Sequence, residues 1–497
     1  MCASRAILLG LTILLAGASL FAQPQATRLE GAPCMPQPLM TYLEDELTYT
    51  MANLAADDGT RPYFLSYAVY EEHTATLSAT LGAITQDQRN DERNLNIDLR
   101  VGDYAVDNTH QLRGGAPAHA FGSGNISLAL DDDAESIRHA LWYHTDEVFK
   151  SAAKRLTQVR TDLKVKVEEE DQSDDFSREE RHVDYEPPAQ RVFDHDGWAS
   201  RLRKISAVAR DFPHVYSSTL TVGAYAGTRY LVTSEGTRLQ TSEKRYRVTM
   251  AAGTKADDGM ELSQYFDFNA ATPDRLPGDS EIEAAFRRVI RQVLALREAP
   301  LAEPYIGPAI LRNRASGVFF HEIFGHRIEG HRQKDVTEGQ TFTKKLNQPV
   351  LPEFISVYSD PTRARLADVD LRGFYRYDDE GVKTANVPLV EKGILKTFLM
   401  SRRPVESSPR SNGHGRRQPG NAVVSRQSNL IVESTKQVPF EQLRKLLIEE
   451  CTRQGKPYGL LFEDISGGFT TTQRYGPQAF KVIPIYVVRV YPDGRPD

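Results

Sequence analysis

Ser316-Gly-Val-Phe-Phe-His321-Glu322-Ile-Phe-Gly325-His326-Arg-Ile-Glu329-Gly330-His331 holds the densest chemistry in the chain. Two histidines bracket a glutamate that directly follows the first, giving H-E-x-x-x-H. The zinc-protease pattern H-E-x-x-H places both imidazoles on one helix face. Residues five apart on a regular α-helix lie about 140° apart, at roughly 100° per residue. One ion can therefore be chelated by both histidines only if the helix is distorted, and a π-type turn is the expected distortion. Gly325, just before the second histidine, lowers its steric cost. Zn²⁺ accepts neutral imidazoles, leaves a position for water and brings that water's pKa towards 7. A neighbouring carboxylate can take the proton and pass it to a leaving amine. His321 and His326 are thus the candidate zinc ligands and Glu322 the candidate general base. The competing reading is a helix with surface histidines and a solvated glutamate. Against it stands the apolar approach Val318-Phe319-Phe320, which takes His321 and Glu322 into the interior, where unpaired polar groups are costly.

Upstream of this segment, Glu281 to Glu298 has helical period, with Ile282, Phe286, Val289, Ile290 and Val293 on the buried stripe, and ends before Pro300. The boundary to a C-terminal domain, 301–497, is set there. Val215 to Met250 reads as strands with tight turns, including Thr233–Thr237. A long helix is expected from Ala134 to Leu163, with Ile137, Leu141, Val148, Phe149 and Leu156 on one stripe. The acidic residues after it, Glu168–Asp171, Asp174–Asp175 and Glu179–Glu180, read as a solvated face. Nearer the N-terminus, Leu39, Leu43, Leu47, Met51 and Leu54 mark a helix. Tyr63, Leu65, Tyr67 and Val69 then alternate, as do Leu95, Ile97, Leu99 and Val101, which marks half-buried strands. Residues 39–125 are taken as an N-terminal α+β domain and 126–300 as a central helix-plus-strand domain. The expected class is α+β and multi-domain, with mixed or antiparallel sheets, long helices and a metal-binding helix in the last domain.

The bulk numbers suit this. A chain of 497 residues suggests about three domains, and 40% apolar with 26% charged residues is ordinary for globular proteins. Sixty-one basic against sixty-seven acidic residues give a net charge of −6, with no basic patch, so neither nucleic acid nor an anionic membrane is expected as a partner. Arg5, the apolar run Ala6–Leu15 and the small residues Ala16–Ser19 form a secretory signal peptide, residues 1–22, with cleavage after Ala22. A Pro-rich linker, 23–38, follows. The expected location is periplasmic or secreted. Cys34 and Cys451 remain in the mature chain and make no disulfide scaffold.

With those residues in view, the chain resembles the TldD/PmbA family of metallopeptidases. The resemblance rests on His321–Gly330, in the place of the family's H-E-x-x-x-H-x-x-E-G, and on Tyr377–Gly381, Gly393–Ser401, Ser411–Arg417, Asp464–Gly468 and Thr233–Gly236. It implies Zn²⁺ held by both histidines and a downstream cysteine, with Glu322 catalytic. It also implies peptide or unfolded-polypeptide substrates, and a homodimer or a heterodimer with a related subunit. This chain carries the metal motif, so it matches the catalytic type.

The downstream cysteine is where the pattern departs. Cys451 falls on the apolar stripe of a helix with Phe440, Leu443 and Leu447, where a structural cysteine packs. The third ligand is therefore expected in a segment beyond Asp497. Glu329 and His331 read as supporting or surface residues ahead of substitute ligands, and Asp378, Asp379 and Glu380 as a turn before Gly381 ahead of a metal site. Asn412–Arg417 reads either as a channel lining that could hold a peptide carboxylate or as a mobile surface loop. The combined expectation is a zinc-dependent peptidase. The alternatives are a non-catalytic dimeric scaffold or peptide-binding partner with an incomplete metal site, and a non-peptidase metallohydrolase on the same scaffold.

Overall fold

The two alternating runs near the N-terminus meet each other: Leu65, Tyr67 and Val69 are direct antiparallel partners of Leu99, Ile97 and Leu95. Apolar residues on one face of each strand thereby line up on one side of the sheet. The structure is a computed structural model describing residues 35–112, 123–165, 171–474, 476–477, 479–493 and 495. The signal peptide, Cys34 and most of the linker, Gly114, Gly115, Gly122 and Glu168–Glu170 lie outside the described residues.

The first part of the chain runs α1 (Pro38–Asn53), β1 (Pro62–Thr80), β2 (Ala83–Val101), β3 (Ile126–Ser127), α2 (Ala134–Val165) and β4 (Val183–Tyr185). It continues through α3 (His195–Ser206), β5 (Ser217–Thr233), β6 (Arg238–Lys255), β7 (Glu261–Ala270) and α4 (Asp279–Glu298). These strands form one sheet in the order β3-β2-β1-β5-β6-β4, with β7 also pairing β6. The helices α1 and α2 cover Leu65, Tyr67 and Val69, while α3 and α4 cover Leu77, Val222, Val248 and Met250 on the same face. The five residues expected on the buried stripe of α4 are all buried. Because β1 pairs β5 from Ser66–Thr233 to Ala79–Leu220, the sheet is continuous across the expected 125/126 boundary.

After α4 come β8 (Ala309–Leu311), α5 (Asn313–Ile323), α6 (His331–Lys334), β9 (Ile355–Ser359), β10 (Arg365–Leu366) and β11 (Val369–Asp370). Then follow β12 (Val387–Glu391), β13 (Ile394–Leu395), β14 (Gly415–Arg416), β15 (Val424–Ser425) and β16 (Leu430–Ser434). The last elements are α7 (Phe440–Arg453), β17 (Gly459–Thr470) and β18 (Phe480–Val490). Here β13-β12-β9-β16 form one sheet and β18-β17-β8 another. The class is α+β with several sheets, and the metal-motif helix lies in the C-terminal region. No helix among the described residues is long and apolar enough to cross a membrane.

The acidic run departs from the solvated-face expectation. Asp175 is buried, within 2.8 Å of His110 Nδ1, and accepts the Asp107 amide. Glu179 accepts from Arg410 and from the Ser411 amide. The run crosses the C-terminal region, where Ser177 donates its amide to the Arg402 carbonyl, so Asp175 and Glu179 are paired, while Asp174 and Glu180 stay exposed as expected.

Candidate metal centre

The helix α5 is pinned to β17 by two ion pairs: Arg312 to Glu463, and Arg314 to both carboxylate oxygens of Asp464. The register that results lays Glu322 against the end of β17. There Thr470 Oγ1 lies 2.9 Å from Glu322 Oε2 and 2.7 Å from the Glu322 carbonyl, donating its one proton between them. Glu322 is buried, while the His321 side chain keeps 45% of its exposure. The apolar approach thus buries the carboxylate and leaves the first imidazole at the rim.

The π-type turn expected at Gly325 is not what forms. The α-helix stops at Ile323, Phe324 adopts φ −110°, and a 3₁₀ turn, Gly325–Ile328, takes over. The break brings the rings together all the same, with centroids 4.6 Å apart. A Cβ at Gly325 would stand 2.1 Å from Gln427 Oε1, so any larger residue there would displace the Gln427 side chain. Gln427 in turn donates Nε2 to the His321 carbonyl at 3.4 Å.

His321, Glu322 and His326 each offer a ligand atom, all within 4.8 Å of one another. The Nε2 atoms of His321 and His326 lie 3.9 and 3.6 Å from the Glu322 carboxylate. Burial, helped by His326 and Arg426, lowers the pKa of His321 and favours the neutral imidazole that a metal needs. On its far side, His326 Nδ1 lies 3.0 Å from Glu329 Oε1. Burial alone would raise the Glu329 carboxyl. The His326 hydrogen bond and the charges of Arg426, His331 and Arg332 outweigh it and hold the carboxyl at about 2. An ionised Glu329 accepts from Nδ1–H, which leaves the Nε2 lone pair of His326 facing His321. Two imidazoles beside a carboxylate suit a divalent transition metal such as zinc.

Other expectations resolve with this geometry. Cys451 packs in an apolar cluster with Ile310, Leu447, Leu461 and Val490, as its helix stripe indicates. Asp378 forms the expected turn, accepting the Glu380 and Val382 amides ahead of Gly381 at φ 83°. His331 is buried. The surface-loop reading of Asn412–Arg417 does not hold. His414 is buried between Asn412 and Ser359, and Gly415–Arg416 pairs with β15. Thr470, Arg426 and Gln427 did not emerge from the sequence. Thr470 follows the Asp464–Gly468 segment by two residues, so a signal stood close to it; nothing marked Gln427.

Residues 305–475 match the PmbA/TldA metallopeptidase C-terminal domain. A metalloprotease of Archaeoglobus fulgidus is 34% identical over 143 residues, covering 29% of this chain and 30% of the relative. A Methanocaldococcus jannaschii metalloprotease is 28% identical over 267 residues, 53% and 54% of the two chains. A zinc metalloprotease TldD homologue of Saccharolobus solfataricus is 34% identical over 116 residues, 23% and 24%. The chain spans from about a quarter to about half the length of these curated relatives. Among solved structures, a Thermotoga maritima chain described as a candidate modulator of DNA gyrase aligns with TM-score 0.57 at 16% identity, over 91% of this chain and 92% of that one. TldE from Thermococcus kodakarensis aligns with TM-score 0.54 at 14% identity, over 92% and 91%. At those identities the likeness concerns the fold alone.

Proposed function

The chain belongs to the TldD/PmbA family of metallopeptidases through residues 305–475, and on that premise we propose that it is a zinc-dependent peptidase acting on peptides or unfolded polypeptide. One observation carries this reading: the Nε2 atoms of His321 and His326 converge on the buried Glu322 carboxylate while Glu329 occupies Nδ1 of His326. His321 and His326 would hold the ion. Bound there, zinc supplies a Lewis acid that acidifies water and polarises a peptide carbonyl. Thr470 fixes Oε2 of Glu322 and leaves Oε1 turned to the His321 side. Glu322 then takes a proton from the attacking water and returns it to the departing amine. Glu329 keeps His326 in one tautomer throughout. The named metalloprotease and zinc metalloprotease relatives support the reaction class.

Glu322→Gln should retain zinc and lose about 10²–10⁴-fold in peptide turnover, since only proton transfer is removed. His321→Ala should lose both metal and turnover. Near-normal turnover in Glu322→Gln would mean that the base is misassigned. A chain that binds peptide but turns none over with zinc bound would be the scaffold or binding partner instead.

The proposal extends to export and assembly. Arg5 and the Ala6–Leu15 run support a periplasmic or secreted product, and the family resemblance supports a dimer. N-terminal sequencing should find the mature protein starting near Gln23; cytosolic protein with Met1 intact would overturn the export reading.

A further inference from the structure

A cavity of about 580 Å³ lies against the face of the large sheet that the helices leave uncovered, lined by Tyr70 and Arg229 on the sheet side and by Arg372, Arg416, Arg417 and Gln427 on the other. It reaches the metal centre through Gln427, which touches the His321 carbonyl and packs over Gly325. Seven basic and six acidic side chains line it, and the acidic ones are already engaged. The guanidinium groups of Arg229 and Arg416 share the Asp379 carboxylate, and Arg417 donates Nη2 to the Asp379 backbone carbonyl. Tyr70 and the Arg417 amide also donate to that carboxylate, which leaves it little capacity for more. The Nη atoms of Arg229 are spent on Asp379 and on the Asp378 and Tyr377 carbonyls. Its Nε–H is buried with no acceptor, as is that of Arg417. Arg229 is itself only 8% exposed.

Buried guanidinium N–H groups without acceptors are costly unless a ligand satisfies them. Arg372 adds a positive charge that forms no hydrogen bond or ion pair among the described residues. Burial, with Arg245 and Arg247 nearby, lowers its pKa, as expected for a cation among cations. The other carboxylates in the wall are engaged: Glu71 pairs with Arg93, Glu72 accepts from Tyr225, Glu186 from the Ser242 amide, Glu243 pairs with Arg245, and Asp370 accepts from Arg275 and the Ala271 amide.

Planar guanidinium forks match a carboxylate better than any other group a peptide carries. We propose that this cavity is a substrate subsite that binds a peptide carboxylate, supplied either by the C-terminus or by an Asp or Glu side chain. The inference rests on the peptidase reading for the identity of the ligand as a peptide. Tyrosines in the same wall give the adjoining chain an apolar and hydrogen-bonding surface.

The test is fluorescence anisotropy on the full chain carrying Glu322→Gln, in the presence of chelator, so that neither metal nor turnover enters. Three labelled peptides of one neutral sequence are compared: with a free C-terminus, amidated, and amidated with a single internal Glu. The free acid or the Glu peptide should bind about tenfold more tightly than the neutral amide, and whichever does so identifies the source of the carboxylate. Arg372→Gln, at a side chain with no hydrogen-bond or ion-pair partner to lose among the described residues, should bring that ratio close to one. Arg417→Gln should do the same. Equal binding of all three peptides, no measurable binding of either acid, or a ratio that survives both substitutions would overturn the subsite. Turnover of the neutral amide by wild-type chain with zinc separates the two failures: it persists if only the subsite is wrong, and is absent if the peptidase reading is wrong.

Discussion

Glu329 decides what His326 can do. Its carboxylate sits in an interior that would normally protonate it. The His326 hydrogen bond and the flanking Arg332 and Arg426, at 2.7 and 3.3 Å, keep it charged. A neutral amide in its place still accepts from Nδ1–H but gives the imidazole less basicity and leaves two arginines short of a countercharge. Glu329→Gln should therefore weaken zinc binding about 10–100-fold, the usual effect of removing an orienting partner. Competition against a chromogenic chelator measures it, and unchanged affinity would remove Glu329 from the account. His321, Glu322 and His326 were legible in the sequence because their chemistry is local, within six consecutive residues. Thr470 lies 148 residues away from the carboxylate it holds, and no local spacing encodes such a partner.

At the scale of elements, amphipathic period exposed the helices and the paired strands, because burial on one face repeats along the element. The break after Ile323 was read differently, as a π-type turn. A five-residue spacing states that the helix must distort but not how; the α-to-3₁₀ change occurs where Gln427, about a hundred residues on, packs against Gly325. The link between β9 and the segment before β14 was equally hidden. There His414 is buried with Nε2 2.9 Å from Ser359 Oγ and Nδ1 beside Asn412. Burial, with Arg416 nearby, lowers its pKa from 6.5 to about 4. Between those values the unfolded chain takes up a proton that the folded chain refuses. The contribution is thus complete above pH 6.5 and is lost as the pH falls towards 4. It amounts to about 2–3 kcal/mol between pH 7.5 and 4.5. Urea unfolding at the two pH values should show this loss in wild type and a correspondingly smaller one in His414→Gln. Equal losses in both would show that His414 does not carry it.

Across the whole molecule, the sheet joins residues from both sides of the expected 125/126 boundary, and the acidic run after α2 is drawn into the C-terminal region. Composition shifts and turn residues marked where elements end. They carried no information on which strand pairs with which, since β1 meets β5 across a sequence separation of about 150 residues. The same long-range assembly brings Asp464 and Thr470 to the metal-motif helix, so the centre is a product of the fold and not of its motif alone. Zinc K-edge X-ray absorption on the full chain loaded with one equivalent of zinc tests the central claim most directly. The expected spectrum has nitrogen scatterers at about 2.0–2.1 Å with the multiple scattering of two imidazoles, a signature lost with the bound zinc in His321→Ala and in His326→Ala. A spectrum without imidazole, or one unchanged by both His321→Ala and His326→Ala, would contradict the account.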